Sequence, residues 1–232
     1  MWIFKVGVVG AGAMGGGIGQ VVTFSGLPVV VKDIDQGQIE AARKHVEGIY
    51  QSRVDKGKMT PAQMQEKLDL IEYTLDYGDF ADVDIVIEAV PEVMGIKQAV
   101  LKELDEVCPP DTIFASNTSA LSITEMGSVT NRPNRIIGMH FFSPAHVMKL
   151  VEVIATPETG VDSVAVSWAC STNTSRSASR APSAYGARAS ATSRVDPPRE
   201  TASATRRSCR VNRRSLQSRG ERSWRESLGQ DA

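Results

Sequence analysis

No run of apolar residues in this chain is long enough to cross a bilayer, and its three cysteines, Cys108, Cys170 and Cys209, follow no paired spacing. The first absence excludes a membrane helix and leaves no membrane partner expected. The second argues against a disulfide framework and against a zinc site, so no metal is expected, and it fits a reducing, cytoplasmic compartment. The apolar start, Met1 to Val9, is short, is interrupted by Lys5 and runs straight into a glycine-rich loop, so it reads as a buried first strand and not as a signal peptide. A further absence divides the chain in two. The last of its nine lysines is Lys149, the last phenylalanine is Phe142 and the last isoleucine is Ile154. From Ser167 to Ala232 there are 13 Arg and 14 Ser in 66 residues, with only two leucines, Leu216 and Leu228.

Charge follows the same division. Residues 1–166 carry 13 basic and 22 acidic side chains, a net charge of −9, and the remainder carries 13 and 5, a net charge of +8, so the formal total of −1 conceals two unlike parts. Residues 1–160 are expected to form one α/β domain. Residues 161–232 are expected to be a basic segment too poor in apolar residues to bury a core, and therefore without fixed structure.

The chemistry starts at Gly10-Ala11-Gly12-Ala13-Met14-Gly15, which follows the apolar run Ile3 to Val9 directly. The first glycine allows a tight turn out of a strand, the second lets the backbone approach a pyrophosphate, and the third lets the next helix pack close to the sheet. Phosphates would then meet the positive end of that helix. The run Leu27 to Val31 reads as a second strand, which places Asp33 about 20 residues beyond the glycines, where a carboxylate accepts both ribose hydroxyls. This context identifies a dinucleotide site. Asp33 would repel a 2′-phosphate and no Arg or Lys occurs from Ile34 through Glu40, so NAD is expected over NADP.

Strands and helices alternate from there. Met14 to Ser25 reads as a helix, as does Gln36 to Asp55, and Thr60-Pro61-Ala62-Gln63 is a capping box with proline at the first helical position, starting a helix through about Leu70. Two helices between strands form an insertion whose tip carries Arg53, Lys56 and Lys58. These either meet an anionic substrate tail or are ordinary solvated side chains. Val83 to Val90 is an apolar run carrying Asp84 and Glu88, read as a central parallel strand. Ile96 to Val107 is helical, Thr112 to Ala115 is a strand, and Ser122 to Glu125 caps a short helix. Arg135 to Met139 and Met148 to Ala155 read as two more strands. The pattern predicts an open, doubly wound parallel sheet of the Rossmann type with a helical insertion, and ligands at the carboxyl ends of its strands.

That rule selects Asn117 and Ser119, in the loop after a strand end, although turn chemistry and helix initiation would also place them there. His140 ends the next strand. Glu152 shares a strand face with Leu150 and Ile154, where a carboxylate is costly unless paired, and the available partner is His140. A carboxylate on one imidazole nitrogen fixes the tautomer while the other nitrogen takes a proton. His45 and His146 have no such partner in the sequence and are read as structural.

Ala115-Ser-Asn117-Thr-Ser119-Ala and Gly138-Met-His140-Phe-Phe-Ser143-Pro-Ala-His-Val-Met-Lys-Leu-Val-Glu152-Val-Ile closely resemble the 3-hydroxyacyl-CoA dehydrogenases, including the dehydrogenase part of multifunctional fatty-acid oxidation enzymes. The glycine loop, Asp33 and Val86-Ile-Glu88-Ala-Val-Pro-Glu92 match as well, and the resemblance covers about residues 3 to 160. It implies NAD as cofactor, an acyl-CoA substrate, His140 as the base that takes the proton of the 3-hydroxyl, Glu152 as its orienting carboxylate and Ser119 as a hydrogen-bond partner of the substrate oxygen. It also implies that Glu92, Lys97 and Asn117 line the nicotinamide half of the cofactor site. Ser143 stands where many members carry asparagine and multifunctional members often carry serine.

The resemblance stops near residue 160. A helical domain follows in the family, supplying dimer contacts, the far wall of the acyl-CoA cleft and a catalytic asparagine. The corresponding position here is Ser190, among Arg, Ala and Ser. Loss of lysine and isoleucine with a surge of arginine, alanine and serine is what a shifted reading frame in GC-rich DNA produces, and that is the origin expected for residues from about 161–167 onward. An arginine- and serine-rich tail touching nucleic acid is the other explanation, although no specific nucleic-acid partner is expected. Two functional readings stand side by side: an NAD-dependent 3-hydroxyacyl-CoA dehydrogenase, and an NAD-binding fragment without turnover. A hydroxyacid dehydrogenase using Lys149 fits less well, because it leaves the His140 and Glu152 pair unexplained.

Overall fold

The computed structural model describes the backbone of residues 2–174, 177–180 and 209–210, and the side chains of residues 3–167. After the short strand β1 (Trp2–Ile3) come β2 (Val6–Val9), α1 (Ala13–Phe24), β3 (Val29–Lys32), α2 (Gln36–Asp55), α3 (Pro61–Leu68), β4 (Ile71–Thr74), β5 (Ile85–Glu88), α4 (Met94–Val107), β6 (Ile113–Ser116), α5 (Ile123–Gly127), β7 (Ile136–Phe141), β8 (Leu150–Ile154) and α6 (Val161–Thr174). Two short strands, β9 (Ser177–Arg180) and β10 (Cys209–Arg210), follow. The large sheet has the order β4-β3-β2-β5-β6-β7-β8-β9, and β1 pairs separately with β10. From β4 to β7 every pairing is parallel. The doubly wound, Rossmann-like sheet expected from the alternation is therefore what forms.

Its central strands are Val-Gly-Val-Val, Val-Val-Val-Lys, Ile-Val-Ile-Glu and Ile-Phe-Ala-Ser, buried at all positions because helices cover both faces. On one face Val8, Val31, Ile87 and Ala115 pack with Ile18 and Val22 of α1 and with Ile39 and Ala42 of α2. On the other, Val30, Val86 and Phe114 pack with Phe80 and with Leu101 and Leu104 of α4. Helix α1 lies especially close: a Cβ on Gly16 would stand 3.4 Å from that of Ala42, and one on Gly17 would stand 3.3 Å from that of Ala145. Its glycines weaken it as an isolated helix. In return the sheet, α2 and the loop after β7 all close on it.

Local chemistry sets the helix boundaries. The Asp35 carboxylate accepts from the Gly37 and Gln38 amides at 2.6 and 3.1 Å and starts α2. Thr60 and Gln63 exchange both bonds of the capping box that starts α3, and Ser122 caps α5 through the Glu125 amide. The α3 helix ends at Leu68 to make room for β4, an edge strand the sequence pattern did not reveal. Glu72 is exposed and the other three residues are only half-buried, with Ile71 and Tyr73 turned toward the core.

A second difference matters more. The strand β8 runs antiparallel to β7, since the short connection from Phe142 to Lys149 turns the chain back where a parallel return would need a longer crossover. Helix α6 then continues the domain past residue 160: Ser163 donates to the Asn134 carbonyl at 3.0 Å, Arg135 meets Asp162 at 3.0 Å, and Val166 joins the core. The segment expected to lack structure lies largely outside the described residues. Among the described residues no helix is long and apolar enough to cross a membrane, and no three His, Cys, Asp or Glu side chains gather as a metal set.

Tyr50 closes the α1–α2 contact. Its hydroxyl lies 2.7 Å from that of Thr23 and donates to the Gln20 carbonyl at 3.1 Å. Burial pushes this phenol from 10.0 up to about 12, against the bonds to Thr23 and Gln20 and the charge of Arg53. Burial likewise pushes Tyr73 up to about 12, against the charge of Arg43. A phenol raised on folding stabilises the chain fully below its unfolded value of 10.0, and that contribution is lost as pH rises through about 12. The urea midpoint should accordingly fall across this alkaline window, and Tyr50→Phe should fall less steeply. A midpoint independent of pH there, or an equal slope in the variant, would refute this.

Candidate active site

Strand β2 ends at Val9, and Gly10 turns the chain with φ of +97°, a conformation few other residues adopt. A Cβ on Gly15 would fall 1.6 Å from the Gly10 carbonyl oxygen, so α1 starts against the loop only because that atom is missing. Around Gly12 the space is open, with nothing within 4 Å of where its Cβ would be. Gly12 is the N-cap of α1, no side chain caps this end, and its first turn holds no acidic residue. Uncapped amides at the positive end of a helix suit a phosphate. Ala11, Gly12 and Ala13 also line a cavity of about 240 Å³ with Gln38, Ala41, Ala42 and His45 of α2. Met14 is half-buried and packs on the core.

Asp33 stands beside this loop. Its Oδ2 accepts from the Ala11 amide at 2.7 Å, and its Oδ1 accepts from Ile34 and Asp35 at 2.7 and 3.2 Å. The Asp33 carboxylate is thus fixed by three backbone donors. The residues fit a dinucleotide: an open, uncapped loop for the diphosphate and a held carboxylate next to it.

The second group sits at the other side of the sheet's carboxyl edge. In the β7–β8 pairing His140 lies directly opposite Glu152. Imidazole Nδ1 donates to Glu152 Oε2 at 2.9 Å, and Nε2 lies 3.2 Å from Ser119 Oγ. With the Nδ1 proton held by the carboxylate, Nε2 keeps its lone pair toward the serine and whatever binds beside it. The Phe142 ring packs at 4.8 Å from the imidazole. The Glu152 face is the open one: Leu150, Glu152 and Ile154 are half-buried whereas Val151 and Val153 are buried. The carboxylate, 33% exposed, is paired by register more than forced into pairing by burial.

Asn117 ties the strand ends together, donating its amide to the Glu88 carbonyl and accepting from the Phe141 amide through Oδ1, both at 2.8 Å. Ser143 is exposed in the loop that follows Phe142. Glu92 accepts from the Thr118 hydroxyl and from the Ser119 and Ala120 amides. Partial burial raises its carboxyl, but the bonds from Thr118, Ser119 and Lys97 together with the Lys97 charge outweigh this and hold it below the usual range. Lys97 is 1% exposed. Its ammonium meets Glu88 at 2.8 Å, the Val90 carbonyl and Glu92 both at 3.2 Å, so three neighbours occupy it inside the protein. Glu88, Ser116 and Thr118 are members of this cluster that sequence reasoning did not select. The signal for Glu88 was an acid at the end of a run otherwise suited to a wholly buried strand.

The remaining candidates lie apart from these groups. Arg53 stacks over the Phe24 ring at 4.4 Å, at the far end of α1 from the phosphate loop, while Lys56 and Lys58 are exposed. His45 and His146 face each other edge to face at 6.1 Å, and burial, then the charge of His45, lower His146.

The chain is similar to known proteins in sequence and in fold. The family model described as 3-hydroxyacyl-CoA dehydrogenase, NAD binding domain, matches residues 5–180. The fatty acid oxidation complex subunit alpha of Psychrobacter arcticus is 47% identical over 163 residues, covering 70% of this chain and 23% of the relative. That of Pseudomonas putida is 47% identical over 150 residues, covering 65% and 21%. The chain thus spans about a quarter of the length of these curated relatives. Among solved structures, (S)-3-hydroxybutyryl-CoA dehydrogenase from Ralstonia eutropha aligns with a TM-score of 0.73 at 39% identity, over 75% of this chain and 61% of that one. The 3-hydroxybutyryl-CoA dehydrogenase of Escherichia coli aligns with a TM-score of 0.75 at 35% identity, over 77% and 38%. The match over residues 5–180, on a fold with the uncapped glycine loop and the held Asp33, shows that the chain belongs to the 3-hydroxyacyl-CoA dehydrogenase family, of which it carries the NAD-binding domain.

Proposed function

We propose that the chain oxidises 3-hydroxyacyl-CoA to 3-oxoacyl-CoA with NAD, as in fatty-acid β-oxidation or 3-hydroxybutyryl-CoA metabolism. The observation that carries this is the row Glu152, His140, Ser119, joined at 2.9 and 3.2 Å on the carboxyl edge of the sheet that bears the phosphate loop. Bound NAD supplies the hydride acceptor. The protein's residues manage the proton. Ser119 Oγ and His140 Nε2 together face one position, where the 3-hydroxyl binds. His140 takes its proton there, and the imidazolium so formed is stabilised by Glu152 on Nδ1. Gly10, Gly12, Gly15 and the first turn of α1 hold the diphosphate, Asp33 holds the adenosine ribose, and Asn117, Ser143 and Glu92 border the nicotinamide end. The exposed Lys56 and Lys58 suit the anionic end of the CoA moiety, and the reading places the protein in the cytoplasm.

Ser190, which stands where the family resemblance expects a catalytic asparagine, favours a second reading, a domain that binds NAD without turning over substrate. Turnover with 3-hydroxybutyryl-CoA or acetoacetyl-CoA separates the two. NAD binding with no turnover selects the second.

Cofactor choice follows from Asp33. A 2′-phosphate beside this carboxylate meets like charge, a cost on the order of several kcal/mol, so NADP should bind at least roughly tenfold more weakly than NAD. Asp33→Ala should narrow the gap chiefly by weakening NAD. Equal affinity of the unaltered chain for both, by calorimetric titration, would defeat the assignment.

His140→Gln should lower kcat by roughly 10²–10⁴, the usual contribution of a positioned general base, with NAD affinity nearly unchanged. Glu152→Gln should lose less, because the imidazole keeps a hydrogen-bond partner. Near-normal steady-state turnover in His140→Gln would show that another group takes the proton.

A further inference from the structure

We propose that Glu88, which touches neither His140 nor Ser119, is a positioning residue for both, acting through Lys97 and Glu92. The proposal deepens the dehydrogenase reading and rests on it. Glu88 and Lys97 are each 1% exposed. Desolvating two charges commonly costs as much as their attraction returns, so stability alone gives little reason for such a pair on a strand and helix that apolar residues would join as well. What the pair touches supplies the reason.

Every residue from Ser116 to Ala120 is tied to it. Glu88 Oε2 accepts the Ser116 hydroxyl, and the Glu88 carbonyl accepts the Asn117 amide at 2.8 Å. Its Oε1 takes the Val90 amide and the Lys97 ammonium, both at 2.8 Å. Lys97 passes the tether on to Glu92 Oε2 at 3.2 Å. Glu92 Oε1 then accepts from the Thr118 hydroxyl, from the Ser119 amide at 2.9 Å and from the Ala120 amide at 3.4 Å. Glu92 is 44% exposed, and without the ammonium behind it a carboxylate there would turn toward water. Ser119 itself is exposed, yet its Oγ stands 3.2 Å from His140 Nε2. An exposed serine on a loop keeps such a place only if its backbone is held, and the line from Glu88 through Lys97 and Glu92 holds it. Lys97, whose ammonium is occupied by Glu88, Val90 and Glu92, belongs to this tether.

The test uses the full chain with ¹⁵N-labelled histidine, the His140 resonances being identified by their loss in His140→Gln. Ser119→Ala provides the benchmark displacement of the Nε2 signal. Glu88→Gln keeps the shape of the side chain and removes the nearer of the two carboxylates that meet Lys97. It is expected to move the Nε2 signal in the same direction as Ser119→Ala. In steady-state assays it should lower kcat by up to roughly 10²-fold, the scale of a small misplacement of reacting groups. Glu92→Gln, on a half-exposed residue, should move the same signal and decides the matter should Glu88→Gln not fold. A folded Glu88→Gln, or otherwise Glu92→Gln, with Nε2 unmoved overturns the positioning role and leaves the dehydrogenase reading intact. An Nε2 signal unmoved in Ser119→Ala instead overturns the Ser119–His140 contact, and the site reading falls with it.

Discussion

The constraint on which the rest depends is the common register of the parallel strands. Val9 pairs with Lys32 on one side and with Glu88 on the other, Glu88 with Ser116, and Ser116 with Gly138. Four strands therefore end in one row. Each connection leaving that row begins at the same height, so the glycine loop, Asp33, the Glu88 to Glu92 turn and the Ser116 to Ala120 loop are neighbours along one edge, although 110 positions separate Gly10 from Ala120. The buried β-branched residues that fix the register carry no chemistry. A slip of one residue would reverse which face each of them meets, and the two cores on opposite sides of the sheet forbid it.

The antiparallel β8 adds what a purely parallel sheet could not. A parallel neighbour would reach β7 only after a crossover over the sheet, and its end would lie in the row with all the others. By turning straight back, β8 brings the middle of a strand to the edge, so that Glu152 stands across from His140 in a backbone-fixed pair. The His140–Glu152 geometry is thus set by sheet hydrogen bonds and needs little from loops on the Glu152 side. On the Ser119 side the opposite holds: a loop residue must be held, and buried charge does the holding.

These two solutions explain what was legible in the amino-acid sequence. The glycine loop and Asp33 are local, with each residue's place following from a turn, a helix end or a strand end nearby, and those places were readable. The pairing of His140 with Glu152 was readable as well, although the reason differed. An apolar strand face suggested that the carboxylate needed a partner, whereas that face is half-open and register makes the pair. The edge strand β4 escaped because three half-buried residues and the exposed Glu72 carry too little apolar pattern to stand out after a capped helix. The direction of β8 escaped because periodicity tells strand from helix but not parallel from antiparallel. Lys97 was legible as part of the site, but not as an internal member of it. Its burial depends on Glu88 and Glu92, nine and five residues away across a turn, and no local rule places an ammonium under a loop.

Among the described residues the row Glu152, His140, Ser119 is assembled without being enclosed. His140 is 20% exposed and Glu152 33%, and Ser119, Val147 and Met148 are exposed around them. Hydrogen bonds and charges act most strongly on a reacting group where water is excluded, because water screens them and competes for the same donors. Geometry and desolvation are then separate contributions here. The sheet edge supplies the first, through the register of β7 and β8 and the tether beneath Ser119, and exclusion of water from this surface would supply the second. The order of assembly follows from this. A relay already fixed by backbone pairing stays in place while its surface is bare, so covering it strengthens interactions that exist and need not create them.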